Sequence, residues 1–141
     1  MTLSIFQKVA LGVSGVTALG IGISILAAPL AFYASYGIAF RDSTNLLNEL
    51  RASAAGLSVL SIIMLIGIVR EGICQTSIIA ALTVFLAFPA GRILGLLVDG
   101  MPSASIVGAL IFELVVAALL IIAFGRRATG KSSRPIAKLP A

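Results

Sequence analysis

Four apolar stretches, each roughly twenty residues long as a hydrocarbon core of about 30 Å demands, decide what this chain can become. They are predicted at Val9 to Ala28, Asn45 to Val69, Thr76 to Val98 and Ser103 to Phe124. In lipid each backbone N–H and C=O must find its partner within the protein, and a single segment does this by becoming a helix. The expected fold class is therefore all-α, a four-helix transmembrane bundle. Composition agrees, since 60% of the residues are hydrophobic and 11% are charged, too few charges to cover a soluble surface of 141 residues. The first stretch, with Lys8 ahead of it, also resembles a signal peptide. Its length, and the poor cleavage site at Leu26-Ala27-Ala28 before Pro29, favour a retained helix.

The charges outside the spans set an orientation. Lys8 precedes the first span and Arg70 lies between the second and third. Arg126, Arg127, Lys131, Arg134 and Lys138 follow the fourth, while the other side carries Arg41 beside Asp42, and Asp99. The excess of Lys and Arg places both termini in the cytoplasm. The formal net charge of +5 is largely this tail, which without aromatic interleaving or a folded scaffold fits anionic lipid and topology rather than nucleic acid. One domain over 1–128 is expected, followed by a basic cytoplasmic tail over 129–141 whose glycine, serines and prolines predict disorder.

Between the first two spans, Leu30 to Thr44 is too short and too polar to cross. Phe32, Tyr33, Tyr36 and Phe40 recur there at helical spacing, which predicts a short interfacial helix, either an aromatic belt or a lid over a cavity. Within the first span, Ser14, Ala18 and Gly22 repeat every fourth position and Gly20, Ser24 and Ala28 do so on a neighbouring stripe. Small residues at this spacing bring helices close, inside one bundle or between copies in a homo-oligomer.

Ionisable residues at bilayer depth are the candidates for function, because each costs several kcal/mol unless paired or wetted. Glu113 lies in the fourth span and Arg92 in the third. With Gly100 to Pro102 as the turn between these spans, Arg92 precedes it by roughly ten residues and Glu113 follows it by roughly twelve, so at about 1.5 Å per residue the two share a depth. Asp99 continues the helix face of Arg92 through Gly95. Glu49 and Arg51, at the start of the second span, lie on nearly opposite faces; Glu49 is expected to point inward, because Ala52, Ser53 and Gly56 extend its side. Pro89 removes a backbone hydrogen bond one turn before Arg92 and predicts a kink or break. No histidine and one cysteine, Cys74 in a short cytoplasmic loop, leave out the usual metal, haem and iron–sulfur ligands and the imidazole base, so no metal, cofactor or catalytic residue is expected. Ser53, Ser58 and Ser61 have ordinary packing explanations.

Asn48-Glu49-Leu50-Arg51 leading into Gly56, then Gly91-Arg92 with Asp99-Gly100-Met101-Pro102, then Glu113, resemble an uncharacterised bacterial family of small four-helix membrane proteins, a domain of unknown function grouped with DoxX-like proteins. The resemblance covers nearly all of the chain except its tail. It implies a four-helix bundle in the bacterial inner membrane and no particular reaction. More distant DoxX-like relatives include proteins assigned to respiratory complexes and a receptor-assembly chaperone, an analogy at the level of the fold. The expected function is binding, in an outer-half polar cavity built from Glu49, Arg92, Asp99 and Glu113, of a small lipid-like, polar or amphipathic ligand. The alternatives are an accessory or assembly subunit that binds a membrane-protein partner, and a small proton-coupled transporter. The second is weakened because the first span lacks the acidic residue of small multidrug exporters.

Overall fold

The computed structural model describes residues 2–39 and 43–129, so Phe40, Arg41, Asp42 and the predicted tail beyond Thr129 lie outside the described residues. Helix α1 spans Ile5–Ala27, beginning a turn before the predicted Val9. Its start is fixed by a capping box, in which the Ser4 hydroxyl accepts from the Gln7 backbone and the Gln7 side chain accepts from the Ser4 backbone. Pro29, suited to a first helical turn because it has no N–H to satisfy there, opens the short α2 at Pro29–Ala34. Helix α3 spans Thr44–Val69, a 3-10 turn covers Glu71–Ile73, α4 spans Cys74–Val98 and α5 spans Ala104–Thr129. Among the described residues there is no strand, and four of these helices are long and apolar enough to cross a membrane. The short helix between the first two spans is present as the aromatic spacing predicts.

The helices pack in chain order, α1 most closely on α3, then α3 on α4 and α4 on α5, with α5 returning to α1. Leu11, Met64 and Leu120 are fully buried where these surfaces meet. The close contact of α1 and α3 follows from small residues: Ser14, Ala18 and Gly22 are all buried. The neighbouring stripe of Gly20, Ser24 and Ala28 is exposed, so only one of the two predicted stripes packs within the bundle. Buried hydroxyls do not go unsatisfied. Ser58 and Ser61 donate to carbonyls one turn earlier, and Ser77 reaches across from α4 to the Ile63 carbonyl of α3 at 2.6 Å. Gln7 fastens the start of α1 to α5 by donating from Nε2 to the Ala123 carbonyl at 2.7 Å.

Two expectations about α4 are corrected. Cys74 is not in a loop; it is the first residue of the helix and is buried. Of the kink or break expected at Pro89, the break does not occur: the helix continues through the proline, which is itself buried. The carbonyl of Phe85 forgoes its usual i+4 partner there.

Burial is uneven along the bundle. On α3 the buried residues begin only at Ala54, and on α4 they end at Pro89. The core thus fills the end carrying the starts of α1 and α4, and the opposite end, with α2 and the Asp99–Ser103 turn, opens into cavities. Large apolar side chains such as Val16, Ile23, Val59, Leu97, Val115 and Ile122 cover the outside, as a lipid-facing surface requires.

Candidate functional site

On α5 the inward positions are Leu110, Glu113, Val116, Ala117, Leu120, Ala123 and Phe124, the three-and-four spacing of a helix that buries one stripe. Glu113 therefore occupies a core position, and its carboxylate needs a counter-charge there. Arg92 supplies it from α4, one helical repeat beyond the buried Phe85. Its Nε donates to both carboxylate oxygens, at 3.1 Å to Oε1 and 3.0 Å to Oε2. The equal depth expected from counting out of the turn is thus realised as a direct ion pair. The two partners differ in access, the Glu113 side chain being 11% exposed and that of Arg92 31%. Among the described residues Arg92 makes no other hydrogen bond, so the remaining N–H donors of its fork are unengaged.

The pair forms part of the wall of a cavity of about 310 Å³ between α1, α3, α4 and α5. Ala18, Leu57, Val84 and Phe85 make its inner end apolar, while Tyr36, Arg92, Ser105 and Glu113 supply polar groups toward the α2 end. A second cavity, of about 190 Å³, is lined by Arg92 together with Gly95, Asp99, Pro102 and Leu110 among others. Arg92 is the residue common to both.

The segment after α2 is tied over this region. The Ser103 hydroxyl donates to the Tyr36 carbonyl at 2.8 Å, joining the loop to the start of α5. Phe32 stacks edge-on with Tyr33 at 5.4 Å and lies 5.2 Å from Tyr36. Burial raises the pKa of the Tyr33 phenol, the positive charge of Arg92 works in the opposite direction, and Tyr36 adds to the rise. Tyr33 thereby feels the charge of Arg92.

The predicted site residues separate into two groups. Arg92, Glu113 and Asp99 gather around the two cavities, with Asp99 exposed at the end of α4. Glu49 and Arg51 do not join them. Both are exposed on α3 and neither lines either cavity, and the face of Ala52, Ser53 and Gly56 expected to carry Glu49 inward is exposed too. Thr17 and Ser105 belong to the first cavity without having been singled out for it, and Tyr36, from the segment read as an aromatic belt or a lid, also lines it. The usable signal was the spacing of Ser105, Ala109 and Glu113, four residues apart, which puts a small and polar stripe on one face of α5.

Four apolar helices, a part-buried ion pair between the last two and cavities at one end define a small multi-pass membrane protein. The sequence profile of the family described as Domain of unknown function (DUF4345) matches residues 6–124, and the chain belongs to that family. No curated protein and no solved structure matches it.

Proposed function

We propose that this protein binds a small lipid-like or polar ligand in the cavity beside Arg92 and Glu113. The observation that carries this reading is the arrangement of the wall: an apolar inner end, and an ion pair whose arginine still has unengaged donors. A pocket of mostly apolar lining with a few convergent polar groups is the usual form of a small-molecule site. A residue pair serving only to pin two helices would need no space beside it.

The cavity end of the bundle is proposed to face the outer side of a bacterial inner membrane, with both termini cytoplasmic, on the distribution of Lys and Arg. A reporter active only outside the cytoplasm is expected to be silent when fused after Ala141 and active when inserted near Asp42. Activity at the terminal fusion would reverse the orientation and with it the side from which the cavity is reached.

Access provides the test of the binding reading. In a Cys74→Ser background, Ala109→Cys puts a thiol on the wall of the larger cavity and Gly95→Cys puts one on the wall of the smaller. Both are expected to react with a small membrane-impermeant thiol reagent added from the outer side. A folded protein that reacts at neither position would have a closed, dry cluster, and the ligand-binding reading would be withdrawn in favour of a partner held through the lipid-facing helices.

A further inference from the structure

We infer that the ligand is an uncharged amphiphile with a hydrogen-bond-accepting head, such as an ester or ketone, and that its head is held by the free end of the Arg92 guanidinium. This rests on the binding reading above and adds the chemical class.

The charge balance argues first. One guanidinium and one carboxylate lie 3.0 Å apart and are the two charged groups lining the larger cavity, Asp99 lining the smaller, so the larger cavity has polarity without net charge. An anion drawn to Arg92 would sit beside Glu113 and be repelled by it, and a cation drawn to Glu113 would meet Arg92 in the same way. A neutral head is opposed by neither.

Hydrogen-bonding capacity narrows the head further. Both oxygens of Glu113 already accept from Nε and its side chain is 11% exposed, whereas Arg92 is 31% exposed and keeps the donors of its two terminal amino groups. Arginine only donates, so the group that satisfies it is an acceptor.

The tail and its route come from the rest of the wall. The inner end beyond the pair is formed by Leu57, Val84 and Phe85. Phe88 of α4 and Phe112 of α5 line the cavity yet are 46% and 44% exposed, so they are shared between its wall and the lipid-facing surface. An apolar rim of this kind admits an apolar tail directly from the bilayer.

The test uses the full chain in lipid nanodiscs, with Cys74→Ser and Ala109→Cys, and three probes sharing one tail: decyl acetate, decyl sulfate and decyltrimethylammonium. Each is supplied below micelle formation at concentrations matched for membrane partitioning. Decyl acetate is expected to slow thiol labelling about tenfold, the worth of one good hydrogen bond to a charged donor, with the two ions having little effect. Adding Arg92→Lys, which keeps the charge but loses the fork, is expected to remove most of the protection by decyl acetate. Adding Glu113→Gln is expected to let decyl sulfate protect, because the site then carries net positive charge. If that variant does not fold, the comparison of three probes on the unaltered pair still decides. Equal protection by an ion and by decyl acetate would overturn the inference while leaving the cavity open for binding, as would labelling that no probe slows. No labelling even without a probe would remove the binding reading itself and this inference with it.

Discussion

Glu113→Gln is expected to destabilise the folded bundle by about 3 kcal/mol, because it leaves the Arg92 guanidinium at membrane depth without a counter-charge. The amide can still accept one hydrogen bond from Nε, but it cannot neutralise the charge, and the second carboxylate oxygen is replaced by a donor facing a donor. Arg92→Met is expected to cost a similar amount by stranding the carboxylate at its core position on α5. Joining Arg92→Met to Glu113→Leu should recover most of either loss, since two apolar side chains need no partners there. Thermal melts in detergent of both singles and the double measure the coupling directly. Losses that simply add would mean the two groups do not act on one another, despite lying 3.0 Å apart. The double variant has a second use. Stability restored without restored protection by a bound amphiphile would separate the role of the pair in binding from its role in holding α4 to α5.

The bilayer explains why so much of this architecture could be read without coordinates. Hydrocarbon thickness fixes how long an apolar run must be, and that constraint set all four spans to within five residues of their observed ends. Depth is similarly legible, because rise per residue is constant; counting outward from the Gly100 turn was enough to match Arg92 with Glu113. Rotation about a helix axis is harder to read. The face chosen for Glu49 rested on neighbours that are small, Ala52, Ser53 and Gly56, and small residues mark a close contact only if another helix lies there. In α1 one small-residue stripe met α3 and the adjacent one is exposed among the described residues, although the two read almost identically in sequence. Local polar chemistry was also decisive where composition was silent. The capping box of Ser4 and Gln7 moved the start of α1, and the same glutamine reached Ala123 on α5, a link that no spacing rule could have pointed to. The cavity was legible only in part. Its ionisable residues stand out against an apolar background, but Thr17 and Ser105 are unremarkable residue types whose place depends on how α1 and α5 come together with the other helices.

Two glycines on α1 turn that ambiguity between stripes into a measurement. At Gly22 an added methyl group would lie 3.1 Å from the Ala54 carbonyl oxygen and 3.2 Å from the Ser58 backbone nitrogen, and would run into the Ser58 hydroxyl. The serine side chain is held by its bond to the Ala54 carbonyl at 2.8 Å, and the backbone of α3 cannot move aside without parting the most extensively packed helix pair in the bundle. Gly22→Ala is therefore expected to cost about 1–3 kcal/mol, with Gly22→Leu severe enough to lose the fold. At Gly20, two residues away, an added methyl group meets nothing within 4 Å. Gly20→Ala should then be neutral or stabilise by up to about 1 kcal/mol through the better helix propensity of alanine. Melting temperatures of the two alanine variants in detergent give the contrast, and Gly20→Ala in a native bilayer adds the question the single chain leaves open. If that substitution is silent in detergent but lowers stability in the membrane, the outer stripe of Gly20, Ser24 and Ala28 is covered there by another helix. Equal, small effects at both positions would instead mean that α1 and α3 do not approach as closely as the buried stripe of Ser14, Ala18 and Gly22 requires.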